Sequence, residues 1–216
     1  MEIGALDGNK YSNTWYFEQK WDWRGVLIEG VPSNQRLLRA TTRQNVALFT
    51  AGVCKANPGT LAFTKHGDAA GGTREYSAPD FLNHFHGSPT PATVEAACAP
   101  IQLMLDAAGV LDIDLFSLDV EGAELVVLET IDWNATNIHV LLVEQDSSNE
   151  DKNQAVRDLL AGVGFVDARP THGSIKDACL PGRDCTANEV YINPAFRSRR
   201  RPEPPRLVFG TGIPCP

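Results

Sequence analysis

The feature that most constrains the fold is the segment at residues 1–13, which combines a short apolar strand, a turn with two glycines and a helix start. Gly4 and Gly8 can adopt backbone angles that other residues avoid, and they leave room for a ligand close to the main chain. Ser12 and Asn13 are residue types that cap helix N-termini. A strand, a glycine turn and a helix N-terminus together form a common nucleotide-binding corner of α/β folds.

The acids in this turn favour one kind of ligand over another. A dinucleotide site typically has the pattern G-x-G-x-x-G, in which backbone N–H groups face a pyrophosphate. This chain has E-x-G-x-x-D-G, which lacks the central glycine and contains Glu2 and Asp7. Two carboxylates would repel a pyrophosphate, but they suit a ligand with a cationic or amine-bearing end, such as S-adenosylmethionine. A tight turn in an unrelated fold is the alternative at this point.

Another acid follows the next predicted strand. Residues 24–29 (Arg-Gly-Val-Leu-Ile-Glu) are apolar without alternation, which is typical of a parallel strand covered on both faces. The strand ends on Glu29, about 20 residues after the turn, where an acidic residue binds a ribose diol in doubly wound folds. Glu29 therefore strengthens the prediction of a nucleoside site.

Two later strands also end in acidic residues. Asp119, Glu121 and Glu124 follow one apolar strand, and Glu144 ends another. In open α/β sheets the ligand crevice lies outside the carboxyl ends of the strands, so Asp119, Glu121 and Glu144 are predicted to face it. The alternative for Glu121 and Glu124 is that they only complement the N-terminus of the helix that follows.

The alternation of strands and helices predicts a single α/β domain over residues 1–193. Right-handed crossovers give a mostly parallel sheet in the order 3-2-1-4-5, extended by a late antiparallel strand, with helices on both faces. Residues 194–216 are rich in Pro and Arg and are expected to form a tail without regular structure. The other predicted segments are a third strand (45–54), a short strand (60–64), a mobile polar loop (66–73), an irregular stretch (76–94), a helix (100–108) and a late antiparallel pair (164–166 and 188–193).

Charge and hydropathy exclude two classes of partner. The net charge is −8, and the arginines of the tail, from Arg197 to Arg206, leave a body that is more acidic still. Such a body argues against a nucleic-acid surface, although the tail alone would suit one. No apolar run is long enough to cross a bilayer. The chain lacks a signal peptide and opens inside an apparent core strand, so we expect a soluble, truncated or excised domain, either cytoplasmic or in the secretory lumen.

The cysteines and one short motif leave the compartment open. None of the five cysteines forms a C-x-x-C pair, so a zinc site is not expected. Cys179 and Cys185 flank a short loop and either form a disulfide or remain free thiols. Asn134-Ala135-Thr136 is a glycosylation sequon, a pattern that arises by chance too often to decide a compartment.

Together these residues resemble the FkbM-type methyltransferase family over roughly residues 1–193. Asp119–Glu124 (Asp-Val-Glu-Gly-Ala-Glu), placed directly before a helix, is the most specific part of the resemblance. The other motifs that carry it are Glu2-Ile3-Gly4-Ala5-Leu6-Asp7-Gly8 with Ser12-Asn13, then Leu27-Ile28-Glu29, Ile113-Asp114 and Leu142-Val143-Glu144. Many members have an Asp-x-Gly-Ala-Asn turn, whereas this chain has Leu6-Asp7 at that place.

The resemblance implies a Rossmann-like class I methyltransferase that uses S-adenosylmethionine to methylate a hydroxyl group, above all of a sugar or glycan, or else of a secondary metabolite. The helices that usually precede the first strand are absent from this chain. The resemblance does not decide whether a divalent metal is required, and it does not decide the oligomeric state. The expected catalytic residues, which are also the metal ligands if a metal is used, are Asp119, Glu121 and Glu144. The expected cofactor-binding residues are Glu2, Gly4, Ala5, Leu6, Asp7, Gly8, Ser12, Asn13, Glu29 and Asp119.

Hydroxyl methylation requires a group that removes the proton of the acceptor. An alcohol is a poor nucleophile at neutral pH, so a carboxylate or His must accept its proton, or a metal must lower its pKa. The histidines on predicted loops are rivals to the acids for this role. These histidines are His66, His84, His86 and His172. A module that binds the cofactor or a glycan without turnover is a further alternative.

Overall fold

A computed structural model of the chain describes residues 1–55, 57–65, 69–145, 149–168 and 188–197. These residues form a mixed α/β fold. The strands are β1 (Glu2–Ile3), β2 (Gly25–Ile28), β3 (Val46–Phe49), β4 (Gly52–Val53), β5 (Gly59–Thr64), β6 (Thr93–Ala99), β7 (Asp112–Leu118), β8 (Asn137–Glu144), β9 (Val166–Asp167) and β10 (Asn188–Ile192). The helices are α1 (Trp15–Trp21), α2 (Pro32–Arg39), α3 (Pro79–His86), α4 (Ile101–Ala108), α5 (Glu124–Glu129) and α6 (Glu150–Gly162).

The larger sheet has seven strands in the order β3-β2-β1-β7-β8-β10-β9. The first five strands of this order are mutually parallel. β10 runs antiparallel to β8, and β9 runs antiparallel to β10. The mostly parallel central sheet agrees with the predicted fold class.

The strand registers bring the carboxyl ends of the four central strands to one level. Ile3 is paired with Ile28 on one side and with Leu118 on the other. Leu118 is in turn paired with Val143. The residues that follow these positions therefore leave the sheet at the same edge, and they are Gly4, Glu29, Asp119 and Glu144.

The apolar strands are buried on both faces, as their lack of alternation predicts. Leu27, Ile28, Phe116 and Leu141 are 0% exposed. Burial of each such side chain contributes about 1.5–3 kcal/mol relative to leaving it in water. The core therefore fixes the positions of the strand ends on which the acids lie.

A second, three-stranded sheet with the order β4-β6-β5 was not predicted. The predicted third strand (45–54) is wrong as one element, because the chain leaves the main sheet after Phe49 and joins the second sheet at Gly52. A Cβ atom on Gly52 would lie 2.5 Å from Cζ of Phe63, so the Phe63 ring can cover this corner only because residue 52 is a glycine. The second sheet thus packs directly beside the end of β3.

A disulfide between Cys54 and Cys98 joins two segments of the second sheet, with their Cα atoms 5.7 Å apart. The sequence did not indicate this pair, because the two cysteines are 44 residues apart and belong to no recognisable motif. Cys179 and Cys185, for which a disulfide was considered, lie outside the described residues.

The prediction of an irregular stretch at 76–94 is also wrong. α3 begins at Pro79, in the first turn, where the missing N–H of a proline costs no hydrogen bond. It ends before Gly87, which has a φ of 68° and terminates the helix in the left-handed conformation. Of the helices in the described part of the chain, none has the length and apolar character needed to cross a membrane.

Candidate active site

A crevice lies at the carboxyl edge of the main sheet, between the strand ends and the second sheet. Its volume is about 890 Å³, including the part that is open to solvent. Gly52, Val53, Leu61 and Phe63 of the second sheet form an apolar part of its lining, to which strand-end acids are added. This lining fits a small-molecule site, which is typically a concave apolar pocket with a few convergent polar groups.

The crevice is lined by seven of the residues predicted for the site. They are Glu2, Gly4, Leu6, Asn13, Glu29, Asp119 and Glu121. Five others do not line it directly, and they are Ala5, Asp7, Gly8, Ser12 and Glu144. The loop at 69–73 contributes Ala69, Gly71 and Thr73 to the lining, whereas residues 84–92 contribute none.

The opening turn is pressed between two strand ends. Gly4 has a φ of 80°, and a Cβ atom there would lie 1.8 Å from the backbone oxygen of Asp119. The N–H groups of Gly4 and Ala5 both donate to the Ile28 carbonyl, at 3.0 and 3.1 Å. Any side chain at residue 4 would therefore separate the turn from β7, so glycine is required by both conformation and space.

The carboxylate of Glu2 stabilises the segment that leads into α1. Its carboxylate accepts hydrogen bonds from Ser12 Oγ (2.6 Å), Asn13 N–H (2.8 Å) and Thr14 Oγ1 (2.7 Å). Ser12 Oγ also accepts from the N–H of Trp15, the first residue of α1, at 3.0 Å. Glu2 and Ser12 thus fix the backbone of the turn, which is the role of a capping network.

Asp7 has a similar local role. Its Oδ1 atom accepts hydrogen bonds from the N–H groups of Asn9 (2.8 Å) and Lys10 (2.7 Å). This arrangement is the turn that Asp side chains commonly form with the backbone two or three residues ahead. Asp7 therefore shapes the loop that carries Lys10 to the rim of the crevice.

Arg43 completes this network, and sequence reasoning did not find it. Arg43 is 7% exposed and donates to Glu18, to the Gly8 carbonyl (2.9 Å) and to Ser12 Oγ (3.1 Å). Its Nη1 atom lies 4.0 Å from Oε2 of Glu2. Arg43 comes from a polar loop before β3, where an arginine normally indicates only a solvated surface, so no local signal identified it.

The partner of Arg43 is the carboxylate of Glu18, which is 6% exposed. Burial acts to raise the pKa of Glu18. The hydrogen bond from Arg43 and those from the N–H groups of Gln44 and Asn45 outweigh burial, so the pKa lies below its ordinary value. Glu18 and Arg43 are therefore a charged, hydrogen-bonded pair that ties α1 to the loop before β3.

Glu29 lies at the end of β2 and is 3% exposed. Its two carboxylate oxygens accept from the N–H groups of Leu6 (2.8 Å) and Val31 (2.7 Å). Burial raises the pKa of Glu29 to about 7, and these backbone hydrogen bonds only partly oppose that shift. Each oxygen can accept a further hydrogen bond, so Glu29 is both a support of the turn and an acceptor that lines the crevice.

Asp119, Glu121 and Glu144 come together, and we call them the acid cluster. One carboxylate oxygen from each lies within 4.8 Å of the others, and all three side chains are half-buried. Burial raises the pKa of Asp119 well above its ordinary value, and a hydrogen bond with Glu144 and the charges of Glu144, Glu121 and Glu124 raise it further. Like charges this close cannot all ionise freely, so the cluster holds a proton that a lone carboxylate would lose.

The loop that carries Glu121 is held by Glu124. Glu121 has a φ of 55°, a left-handed conformation that is uncommon for a residue with a side chain. Glu124 Oε1 accepts from the N–H groups of Val120 (3.2 Å) and Gly122 (3.1 Å), while Ser77 Oγ donates to the Glu121 carbonyl at 2.6 Å. The alternative considered for Glu124, a role at the helix start, is therefore closer to its structure than a role in the crevice.

Glu124 is also neutralised by a cation. Lys152 of α6 donates to Glu124 Oε2 at 2.5 Å, and both side chains are buried. Lys152 therefore offsets part of the charge of Glu124, although that charge still acts on Asp119. Ser77 and Lys152 were both missed from the sequence, because neither lies near a strand end in the chain.

The histidines are less suitable as a base. His84 and His86 lie on α3, and neither lines the crevice. His86 Nε2 lies 3.0 Å from the Ala70 carbonyl, so this ring supports the loop between β5 and α3. His66 and His172 fall outside the described residues.

A parallel sheet with a glycine turn after the first strand and acids after the next ones is an arrangement typical of α/β folds whose ligands bind outside the carboxyl ends of the strands. The family model described as the methyltransferase FkbM domain matches residues 2–166. The chain therefore belongs to the FkbM methyltransferase family. Neither the search of curated proteins nor that of solved structures gave a match.

Proposed function

We propose that the chain is an S-adenosylmethionine-dependent O-methyltransferase that acts on a hydroxyl group of a sugar or glycan. The observation that carries the proposal is that the Gly4 turn, Glu29 and Asp119 line one crevice. Methyl transfer from a sulfonium is an in-line displacement, so the cofactor supplies the reactivity and the protein supplies alignment and a base. We assign the alignment of the cofactor to the turn and Glu29, and the role of the base to the acid cluster.

The cofactor is proposed to lie along the strand ends. Its amino-acid end contacts the backbone of Gly4 and Leu6, and its ribose hydroxyls donate to the Glu29 carboxylate. The sulfonium then lies near Asp119, because the Gly4 turn is packed against the Asp119 backbone. A positive sulfonium beside the acid cluster offsets the repulsion among its carboxylates, which favours binding of the charged cofactor over its neutral product.

Asp119 and Glu144 are proposed to act together as the general base. In the ionised state of the pair, one carboxylate accepts the hydroxyl proton while the acceptor oxygen forms its bond to the methyl carbon and the bond from carbon to sulfur breaks. The raised pKa of Asp119 supports this role, because a general base is most effective when its pKa lies near the working pH. Glu121, at the start of the next turn, orients the acceptor.

The sugar acceptor is proposed to enter beside the opening turn. Lys10, Tyr11 and Asn13 lie at that side of the crevice, and Tyr11 is 64% exposed. Their hydrogen-bonding groups and the aromatic ring suit a polyhydroxylated ring better than an extended apolar acceptor. The choice of a hydroxyl acceptor rests in addition on the resemblance to the family.

A divalent cation in the acid cluster is a second way to activate the hydroxyl. Oxygen ligands lie about 2.3–2.6 Å from Ca²⁺, which fits three carboxylate oxygens within 4.8 Å of one another. Asp119, Glu121 and Glu144 would hold the ion, which lowers the pKa of a bound hydroxyl. Turnover that survives thorough chelation supports the carboxylate base, whereas loss that added Mg²⁺ or Ca²⁺ restores supports the cation.

The direct test is a transfer assay with an isotopically labelled methyl donor and a panel of sugars, glycans, carboxylic acids and amines. The proposal predicts S-adenosylhomocysteine and a labelled methyl ether only with hydroxyl acceptors. Methylation confined to carboxyl or nitrogen acceptors would refute the substrate class while leaving the cofactor assignment intact. Cofactor binding without transfer to any member of the panel would instead favour the non-catalytic module.

A further inference from the structure

The turn at residues 132–136 carries a motif that the candidate active site does not use. Asn134-Ala135-Thr136 is the one Asn-x-Ser/Thr sequence with a residue other than proline in the middle. The turn joins α5 to β8 and therefore precedes the amino end of β8, whereas the crevice lies at the carboxyl end. β8 spans residues Asn137–Glu144, so the two ends of this strand are roughly 23 Å apart.

The side chain of Asn134 is accessible. Asn134 is exposed, and its side-chain amide makes no hydrogen bond to any residue that the structure describes. Its backbone N–H donates to Oδ1 of Asp132 at 2.9 Å, so the backbone of the turn is ordered without help from the Asn134 amide. A bulky group on this nitrogen would displace no contact of the fold.

The disulfide in the second sheet is an independent observation that bears on the same motif. Cys54 and Cys98 are 8% and 4% exposed, so their bond is enclosed in the fold and is not positioned for thiol exchange. Structural disulfides form and persist in oxidising compartments and are rare in the reducing cytosol. In cells with a secretory pathway, the oxidising lumen is also where asparagine in such a sequon receives an oligosaccharide.

We propose that Asn134 carries an N-linked glycan, attached in the oxidising compartment in which Cys54 and Cys98 pair. In this transfer a bond forms between Nδ2 of Asn134 and the anomeric carbon of an oligosaccharide. The bond from that carbon to a lipid-linked diphosphate breaks, the diphosphate leaves with the electron pair, and the amide nitrogen loses one proton. The transfer requires no oxidant or reductant.

The fold also sets the order of events. Thr136 is 2% exposed, and its hydroxyl donates to Oε1 of Gln102 on α4 at 3.2 Å. The hydroxyl residue of the sequon is therefore enclosed once α4 packs on the turn, so the glycan is attached before this packing is complete. After folding it projects from the edge of the sheet opposite the crevice and leaves the acceptor path open.

The test uses the full chain isolated from its source with thiols blocked at lysis. Release with peptide N-glycosidase in heavy-oxygen water, followed by mass spectrometry, is expected to give a heavy-labelled Asp at position 134 and a disulfide-linked peptide pair containing Cys54 and Cys98. An Asn134 peptide found only in unmodified form would overturn the proposal. Blocked free thiols at Cys54 and Cys98 would also overturn it, because they indicate a reducing compartment.

Two variants expressed in the same source cells sharpen the result. Asn134→Gln removes the acceptor nitrogen at an exposed position, and we expect it to lose the glycosidase-sensitive shift in gel mobility. Thr136→Ser keeps both the sequon and a hydroxyl for Gln102, and we expect it to retain the shift. A shift that persists in Asn134→Gln, or that is absent from the parent chain, contradicts the proposal.

Discussion

The carboxylates of the opening turn and those of the acid cluster have different surroundings, although Glu2, Asp119 and Glu121 all line the same crevice. Glu2 accepts three hydrogen bonds from the turn and lies near the Arg43 guanidinium. Asp119 instead faces Glu144 and Glu121, and its pKa is well above the ordinary value. The comparison shows that a carboxylate among donors shapes the backbone, whereas a carboxylate among like charges is available to bind a proton or a cation.

Glu124 shows that proximity in sequence does not decide which of the two roles an acid takes. It belongs to the same Asp-Val-Glu-Gly-Ala-Glu segment as Asp119 and Glu121. Two backbone N–H groups and Lys152 satisfy its carboxylate, so it behaves like Glu2. The donors and cations that surround a carboxylate therefore predict its role better than the motif does.

The largest expected effect comes from Asp119→Asn. The amide keeps the size of the side chain but cannot accept a proton, so we expect turnover to fall by about 10²–10⁴-fold. Asp114→Asn is the matched control, because Asp114 is an exposed residue of the same strand, β7. Kinetics should be measured together with cofactor affinity. Wild-type turnover in a variant that binds the cofactor normally would show that Asp119 is not the base.

Arg43→Ala tests the hydrogen-bond network that supports the opening turn. Removal of the guanidinium leaves Glu18 buried without its cation, so we expect the free energy of unfolding to fall by about 3–5 kcal/mol. Arg39→Ala is the control, since Arg39 is exposed and donates to the hydroxyl of Thr50 at 2.7 Å rather than to a buried carboxylate. Urea unfolding measures the free energy of unfolding of both variants. Equal stability of the two variants would mean that the Arg43 network does not hold the turn.

Glu29 should make the stability of the free protein depend on pH. Because its folded pKa is about 7 rather than 4.5, its stabilising contribution is complete below the ordinary pKa and is lost as the pH rises through about 7. The total difference is about 3 kcal/mol. When unfolding is followed from about pH 4 to about pH 8, the free energy of unfolding of Glu29→Gln should lack this pH dependence. Any other difference in stability from the wild type should be constant over this range. Parallel curves for the two proteins would contradict the raised pKa.

The smallest expected effect concerns cofactor affinity. Glu29→Ala removes hydrogen bonds to the ribose hydroxyls, so we expect binding of S-adenosylhomocysteine to weaken by about 1–3 kcal/mol. Wild-type affinity should increase as the pH rises through about 7, since the ionised carboxylate is the better acceptor. Calorimetry on folded protein measures both the affinity of the variant and the pH dependence of the wild-type affinity. An absence of binding heat in the wild type would contradict the cofactor assignment itself.

The main sheet could be predicted because its signals are local. Apolar runs identified β2, β7 and β8, and the acids after them identified the edge at which a ligand would lie. The turn with Gly4 and Gly8 identified the first strand-to-helix connection of the domain. These features depend on residues that are neighbours in the chain, so one sequence is enough to recognise them.

The second sheet and the supporting residues could not be predicted, because they depend on contacts between distant segments. β4 and β5 both pair with β6, which begins only at Thr93, and the prolines around α3 concealed that helix. Arg43, Ser77 and Lys152 act on residues that only the fold brings near.

A crystal structure of the chain with S-adenosylhomocysteine bound tests the central comparison most directly. The proposed site predicts the ribose hydroxyls on the Glu29 carboxylate and the sulfur beside Asp119, with space for an acceptor oxygen roughly 3 Å from the position of the transferred methyl group. It also predicts that Glu2 keeps its hydrogen bonds to Ser12, Asn13 and Thr14. A ligand held by Glu2, or a sulfur on the far side of the crevice from the acid cluster, would contradict the division of roles between the two regions.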